Sequence, residues 1–340
     1  MQPETGSSSY SSSKDSGDIT SSSGRVQRNE EQELIEDVLR IMLECEYQNH
    51  PSSSEHLAGL TGIPLQDVLG ALGKAREAGL VTVSETGNWK LAPQGREIGL
   101  LIMRAHRLTE TRLARQSGVK PELWHEIAHE TEHQLSRDEI NRLSDQLDNP
   151  RFDPHGDPIP TREGTWPVAE GQSLLAFRAG GHGVIEHVED EPPALFSRLV
   201  QLGIYAGMRF TMLETDGTVC RLSVEARDVS LTPELATMIR VRPSASEEEQ
   251  VPADAHRLSD LTVGKSAEVL LLLPGCIGPE RSRLLDLGFV PGSRIEFTLQ
   301  SPFHGPAAFS VRGTLIALRH EQAEQVLIRP LAEKGGVPSN

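Results

Sequence analysis

An internal repeat in the second half of the chain constrains the fold more than any other feature. The pattern Arg-Leu-x-x-Leu-Gly-x-x-x-Gly occurs from Arg198 to Gly207 and again, 85 residues later, from Arg283 to Gly292. Runs of strand-forming side chains flank both copies, at 210–213 and at 295–299. Two copies of a unit with strands around one short helix predict a tandem pair of small β-barrels.

The first half of the chain has helical periodicity instead. Residues 1–29 are rich in Ser and Gly and almost lack apolar side chains, which predicts a disordered tail. The elements predicted after it are helices from Glu30, over 54–60 and over 65–78, and strands at 80–83 and 89–91. Helices joined by a tight turn and followed by a hairpin are typical of a winged helix-turn-helix, although similar small domains also act as protein-binding modules.

A cluster of candidate metal ligands lies on two of the three helices predicted next, over 93–116, 121–135 and 137–147. Four candidates on the second helix stand at spacings i, i+4, i+7 and i+8 and share one face: His125, His129, Glu132 and His133. His106 and Glu110 repeat the i, i+4 spacing on the first helix. Imidazole and carboxylate ligands together suit Mn²⁺, Fe²⁺, Co²⁺, Ni²⁺ or Zn²⁺, so the two helices are predicted to hold a divalent metal.

The same segment allows an enzymatic alternative. His125, Glu126 and His129 match the H-E-x-x-H motif of zinc metallopeptidases, in which two histidines bind Zn²⁺ and the glutamate activates water. That interpretation leaves Glu132 and His133 unused, and nothing upstream resembles a peptidase cleft or a propeptide. We therefore expect a protein that is not an enzyme.

Composition limits where the protein acts and what it binds. No apolar run approaches the ~20 residues that span a bilayer, and no signal peptide is recognisable, so we expect a cytoplasmic protein without membrane contact. The three cysteines are widely spaced and form no paired metal or redox motif. The formal net charge of −16 argues mildly against nucleic-acid binding, which then depends on a small basic face.

Candidate DNA contacts are few on the presumed recognition helix, over 64–78. The polar and basic side chains that this helix and the wing offer are Gln66, Lys74, Arg76, Lys90 and Arg96. Asp67 would repel phosphate, and Gly70 and Gly73 weaken the helix. Two hypotheses stay open: a DNA-binding regulator, and a metal-responsive adaptor that acts through protein contacts.

These residues resemble the diphtheria-toxin-repressor family of metal-dependent repressors, including its manganese transport regulator branch. The resemblance covers residues from about 33 to 160 and continues into the β-rich half. It rests on three motifs: Met103-Arg104-x-His106-Arg107-Leu108-x-Glu110, His125-x-x-x-His129-x-x-Glu132-His133, and Pro154-His155-Gly156-Asp157-Pro158-Ile159-Pro160. The second β repeat is similar to the SH3-like domain of ferrous-iron-transport protein A (FeoA), through 283–288 and 311–319, and the first repeat is a more divergent copy.

The resemblance implies two metal sites. His106, Glu110 and His125 fall on the family's ancillary site. His129, Glu132 and His133 fall on the primary, regulatory site together with Asp37 of the first helix. The iron-responsive branch has Cys at the position of His129 and Met at that of Asp37, whereas the manganese branch has Glu and Asp there. Arg40 stands where the manganese branch has a second carboxylate, so we do not expect a copy of its two-metal site. The hard Asp ligand favours Mn²⁺ or Fe²⁺ as cofactor.

The resemblance also implies the architecture and the mechanism. A multidomain α+β protein is expected, with these parts: a disordered tail (1–29), a winged helix-turn-helix DNA-binding domain (30–96), an all-α metal-binding and dimerisation domain (97–160), and two SH3-like, FeoA-type barrels (165–243 and 255–331). Metal would tie the first helix to the metal-binding helices and fix the angle of the DNA-reading unit. A homodimer would then bind a palindromic operator and repress genes of metal uptake.

Overall fold

The computed structural model describes residues 30–168, 171–215, 219–301 and 305–332, so the predicted tail at 1–29 lies outside it. The expected multidomain α+β architecture is confirmed: helices and one hairpin come first, and two six-stranded antiparallel sheets follow. The described residues include no helix long and apolar enough to cross a bilayer. The three cysteines are buried and unpaired.

The N-terminal unit has three helices and a two-stranded hairpin. Its elements are α1 (Glu30–Gln48), α2 (Ser54–Thr61), α3 (Leu65–Glu77), β1 (Val81–Val83) and β2 (Trp89–Leu91). The Ser53 side chain caps α2 by accepting a hydrogen bond from the His56 backbone N–H. Gly62 ends the same helix at φ +66°, a conformation that glycine adopts without steric cost. The predicted helix–turn–helix and hairpin are therefore both present.

Three helices follow, and the first of them packs closely on α1. They are α4 (Pro93–Gln116), α5 (Trp124–Glu132) and α6 (Arg137–Gln146). The α5 helix is shorter than predicted, because a 3-10 turn occupies Pro121–Leu123 and His133 already caps its end. A Cβ atom at Gly99 of α4 would lie 2.8 Å from the Leu39 carbonyl oxygen of α1. The missing side chain thus lets the two helices approach, which brings α1 beside the candidate ligands.

Two arginines of α4 hold the segment that leads to the sheets. Arg104 and Arg107 each donate to a carbonyl of this segment, at Pro160 and Pro158 respectively, over 2.7 Å. The Asp153 carboxylate accepts the backbone N–H groups of residues 155, 156 and 157, which makes a tight turn. Trp166 stacks on Tyr47 of α1 at 4.6 Å between ring centroids, so the segment contacts both α4 and α1.

The two repeats fold into sheets of the same topology. The first repeat has β3 (Gln172–Ser173), β4 (His182–Val188), α7 (Pro193–Gln201), β5 (Arg209–Thr215), β6 (Cys220–Val224), β7 (Arg227–Leu231), α8 (Pro233–Thr237) and β8 (Ile239–Pro243). The second has β9 (His256–Arg257), β10 (Ser266–Leu272), α9 (Gly278–Asp286), β11 (Arg294–Gln300), β12 (Ala307–Val311), β13 (Thr314–Leu318), α10 (His320–Glu324) and β14 (Val326–Pro330). The strand orders β3-β8-β4-β5-β6-β7 and β9-β14-β10-β11-β12-β13 correspond strand by strand.

The second repeat also contacts the helical region. The N-terminus of α9 lies against the C-terminus of α4, where a Cβ atom at Gly278 would lie 2.1 Å from the Ser117 carbonyl oxygen. Gly278 has φ +56°, so glycine is required there by both the close approach and the backbone. Ile277 packs against the small core formed by Leu113, Ala114 and Trp124. The second sheet is thereby docked on the helices as well as on the first sheet.

Candidate metal centre

Four of the predicted ligands converge where α1 meets α5. The ligand atoms of Asp37, His129, Glu132 and His133 all lie within 4.8 Å of one another. His133 Nε2 is 3.1 Å from Asp37 Oδ1, and His129 Nδ1 is 3.3 Å from Glu132 Oε1. We call these four residues the regulatory cluster. Helix spacing alone places three of them together, and the packing of α1 on α4 supplies Asp37.

Three residues of the regulatory cluster are buried, and the fourth is exposed. Glu132 is fully buried, and His133 and Asp37 are also buried, whereas the His129 side chain is 47% exposed. Asp37 and His129 line a cavity of about 570 Å³ between α1, α4, α5 and the segment that follows β4. Solvent ions therefore have a path to the cluster past His129.

Neighbouring charges shift the pKa values of His133 and Glu132 in the cluster. Burial disfavours the charged form of His133, but hydrogen bonds to Asp37 and Glu36 outweigh it and raise the pKa of His133 to about 9. Burial of Glu132 would raise its pKa, yet Arg40 and the hydrogen bond from His106 hold that pKa well below its usual range. Glu132 is thus ionised at neutral pH, as a ligand of a cation must be.

Glu36 is a functional candidate that the sequence did not indicate. Its Oε2 atom lies 2.9 Å from His133 Nδ1, so carboxylates of α1 contact both ring nitrogens of His133. A carboxylate behind a metal-binding histidine fixes the orientation and tautomer of the ring. The periodicity of the sequence does not distinguish Glu36, because it stands next to Asp37 in an acidic part of the helix.

The predicted ancillary ligands form a second cluster beside the first. His106 Nε2 is 3.2 Å from Glu110 Oε1, and His125 Nδ1 is 3.9 Å from the same oxygen. Burial lowers the pKa of His106, but Glu110 and Glu132 outweigh it and raise this pKa to about 10. His106 Nδ1 is also hydrogen-bonded to Glu132 Oε2, which links the two clusters through one imidazole.

Two further residues join this second cluster, and the sequence assigned them no role. Glu110, His155 and Asp190 form a ligand group of their own, so Glu110 belongs to both groups. Asp190 Oδ2 lies 3.0 Å from His125 Nδ1 and 3.9 Å from His155 Nε2. His155 belongs to a motif noted in the sequence, whereas Asp190 follows β4 and no local pattern marks it. We call His106, Glu110, His125, His155 and Asp190 the ancillary cluster.

Unsatisfied polar atoms show that the ancillary cluster suits a cation. Glu110 Oε1 and His155 Nε2 are buried, and neither makes a hydrogen bond of good geometry among the described residues, although His106 Nε2 lies 3.2 Å from Glu110 Oε1. A buried polar atom without a good hydrogen bond costs free energy unless another group satisfies it. A divalent metal would use both lone pairs, and the mixture of imidazole and carboxylate is a ligand set that such ions accept. The residues present therefore fit a divalent metal.

The arrangement disfavours the peptidase alternative. His125 and His129 would have to bind one Zn²⁺ in the H-E-x-x-H motif. The structure instead separates them, because His125 contacts Glu110 and Asp190 while His129 contacts Asp37 and Glu132. The motif arises here from two neighbouring clusters that share a helix.

The candidate DNA contacts all lie on the surface. Gln66, Lys74, Arg76, Lys90 and Arg96 are exposed. Two of them are paired with acidic side chains, Lys74 with Glu31 and Arg96 with Glu46. The outward face of α3 also carries the exposed apolar residues Leu65 and Leu69. Among these five candidates, the basic side chains without an ion pair to a described residue are thus Arg76 and Lys90, and exposed apolar side chains lie on α3.

Family models match both halves of the chain. The model described as "Iron dependent repressor, metal binding and dimerisation domain" matches residues 92–161. The FeoA domain model matches residues 172–243 and 256–330, the two copies of the repeat. The first match contains all predicted metal ligands except Asp37.

Known proteins agree with these matches. The iron-dependent repressor IdeR of Mycobacterium tuberculosis is 30% identical over 177 residues, which cover 48% of this chain and 76% of that protein. The diphtheria toxin repressor of Corynebacterium diphtheriae is 29% identical over 178 residues, with the same coverage of 48% and 76%. These relatives are repressors, which confirms the expectation that the chain is not an enzyme.

Solved structures show the same likeness. A manganese-dependent transcriptional repressor in complex with manganese has a TM-score of 0.56 and 27% identity, over 62% of this chain and 100% of its own. ScaR with bound Zn²⁺ has a TM-score of 0.52 and 25% identity, over 62% of this chain and 99% of its own.

Proposed function

Because this chain belongs to the iron-dependent repressor family, we propose that it is a metal-dependent repressor that binds a palindromic operator as a homodimer. A divalent metal is its cofactor, as the relatives named iron-dependent and manganese-dependent indicate. The observation that carries the proposal is the contact of Asp37 on α1 with His133 at the C-terminal end of α5, 96 positions apart in the chain.

The two clusters would use the metal differently. In the regulatory cluster, Asp37 on α1 and Glu132 and His133 at the end of α5 would hold it, with His129 at the open side. A divalent ion supplies bonds to carboxylate and imidazole, which here come from both helices. Because α1 packs on α2 and α3, fixing α1 also fixes the presumed recognition helix. In the ancillary cluster, Asp190 would couple the first FeoA-type sheet to α4 and α5.

The ligand chemistry favours Mn²⁺ or Fe²⁺. The regulatory cluster offers carboxylate oxygens from Asp37 and Glu132 and imidazole nitrogens from His129 and His133, with no thiolate. Hard oxygen ligands suit Mn²⁺, and imidazole suits Fe²⁺ as well. We propose these two ions as the physiological effectors and metal-uptake genes as the regulated targets.

The surface of α3, the hairpin and the start of α4 supports an alternative that keeps the metal site. Lys74 and Arg96 are engaged by Glu31 and Glu46, and Leu65 and Leu69 are exposed. This face would suit a protein partner, and the chain would then be a metal-responsive adaptor. In the DNA-binding form, the remaining cations Arg76 and Lys90 would contact phosphate, and Gln66 would contact a base.

One experiment separates these functions. Mn²⁺ or Fe²⁺ is titrated into the purified protein with DNA from its own promoter, and binding is compared for wild type and His133→Ala. We expect metal-dependent DNA binding that the variant loses. Metal binding without DNA binding would support the adaptor. Full metal-dependent DNA binding by His133→Ala would show that the regulatory cluster is assigned to the wrong residues.

A further inference from the structure

A permanent cation already stands at the regulatory cluster. Arg40 lies one helical turn after Asp37 on α1, and its Nε atom is 3.5 Å from Glu132 Oε1. The same oxygen is approached by His129 Nδ1 at 3.3 Å and by His133 Nε2 at 3.5 Å. Arg40 therefore faces Glu132 Oε1, the oxygen that His129 and His133 also approach.

The contact between Arg40 and Glu132 is electrostatic and geometrically imperfect. The Glu132 side chain is fully buried, and a buried carboxylate needs a counter-charge. The guanidinium supplies it at every pH of interest, since arginine does not deprotonate in proteins. Arg40 Nε is itself buried, however, and has no hydrogen-bond partner among the described residues. The pair thus lacks the bidentate geometry that makes an arginine–carboxylate contact hard to break.

An alternative position for the guanidinium exists nearby. Glu44 stands one turn beyond Arg40 on α1, and both residues line the cavity of about 570 Å³ that reaches the cluster. The charge of Arg40 interacts favourably with Glu44 as well as with Glu132 and Asp37, and Glu44 already accepts a hydrogen bond from Arg107 over 3.1 Å. A guanidinium displaced from Glu132 would therefore share Glu44 with Arg107.

We propose that Arg40 is the cluster's internal cation, which neutralises Glu132 in the metal-free protein and competes with the divalent metal for it. The competition makes the site weaker than its four ligands alone would make it, so that only a high metal concentration fills it. The fixed positive charge also restricts the cluster to one ion, because a second would lie beside the guanidinium. The inference rests on the proposed function, since it takes the regulatory cluster to be a metal site.

The test is to remove the charge of Arg40 while keeping the length of its side chain. Full-length wild type and Arg40→Met are titrated with Mn²⁺ in a calorimeter, and the component that His133→Ala abolishes is assigned to the regulatory cluster. We expect this component to tighten at least about tenfold in Arg40→Met, since one neighbouring charge typically changes the proton affinity of a site by ~1–3 units. We also expect the metal-free variant to unfold at a lower temperature, because buried Glu132 loses one of its counter-charges and keeps only the neighbouring imidazoles.

Two controls separate competition from ordinary structural damage. Arg40→Lys keeps the charge, so its Mn²⁺ affinity should stay near that of wild type. Arg104→Met removes another buried arginine, whose partner is the Pro160 carbonyl, and should lower stability without tightening Mn²⁺ binding. If Arg40→Met does not fold, Arg40→Gln carries the same expectations.

The outcomes distinguish this inference from the proposed function. Lower stability together with unchanged or weaker Mn²⁺ binding in Arg40→Met would show that Arg40 is only structural and would overturn the inference. Opposite changes in stability and affinity support it. A wild-type protein with no component sensitive to His133→Ala would refute the metal site itself, and the inference would fail with it.

Discussion

Arg107 is the side chain on which we expect the stability of the metal-binding region to depend most. It is buried on α4, donates to the Pro158 carbonyl over 2.7 Å and to Glu44 Oε1 over 3.1 Å, and lies 3.7–3.8 Å from Asp153 and Asp157. Arg107→Met keeps most of the apolar stem and removes every one of these interactions. Asp157, whose pKa Arg107 lowers against the opposing effect of burial, would then lose this cation.

The expected loss follows from what the variant leaves unpaired. Breaking a buried ion pair by removing one partner costs about 3–5 kcal/mol. Arg104→Met is the matched control, since Arg104 stands one turn earlier, is equally buried and donates to the Pro160 carbonyl over 2.7 Å. A single hydrogen bond from a charged group is worth about 1.5–3 kcal/mol. The two variants should therefore differ by roughly 2 kcal/mol, which is the part due to the carboxylates.

Urea unfolding of the metal-free protein measures this difference, with circular dichroism as the signal, because the Arg107 guanidinium lies over the Trp166 ring and its loss would itself change the fluorescence. The unfolding free energy of Arg107→Met should lie below that of Arg104→Met. Equal losses in the two variants would refute the reasoning, because the carboxylates around Arg107 would then add nothing to its carbonyl contact.

Two more predictions concern pH and packing. The raised pKa values of His106 (about 10) and His133 (about 9) stabilise the metal-free protein fully below ~6.5, and this contribution is lost as pH rises through 9 to 10. The free energy of unfolding should therefore fall between pH 7 and 9. Mn²⁺ binding should tighten over the same range, because imidazole ligands must be neutral. Calorimetry that shows neither change would contradict the assignment of His106 and His133 as metal ligands. Gly278→Ala should lower the free energy of unfolding by at least ~2 kcal/mol. Gly264 also has positive φ but open space around it, so Gly264→Ala should lower it by only about 1 kcal/mol. Chemical denaturation measures both, and equal losses would exclude a close contact of Gly278 with α4.

The sequence predicted the parts of the centre that lie within one helix. His125, His129, Glu132 and His133 share a face because of helix spacing, and the structure places them toward α4 and α1. Only the family resemblance brought Asp37 into the regulatory site. The structure supplies the packing that makes this possible, through the close approach of α1 and α4 at Gly99.

The residues that the sequence missed come from separate elements. Asp190 meets His125 across 65 positions, and Glu36 meets His133 across 97. Local periodicity carries no information about such contacts, because the arrangement of one element on another decides them. The division of the H-E-x-x-H motif between two clusters has the same cause. The assignment of metal ligands and of DNA contacts stays a prediction until metal and DNA binding are measured.

The separation of His125 and Asp190 along the chain also sets an order of assembly during synthesis. At translation rates of about 5–20 residues per second, the 65 positions between them take about 3 to 13 s. His133, the last residue of the regulatory cluster, is synthesised early in this interval, and until the interval ends the ancillary cluster lacks Asp190. A nascent chain thus contains all the ligands of the regulatory cluster before it contains all those of the ancillary cluster, which couples the first sheet to the helices.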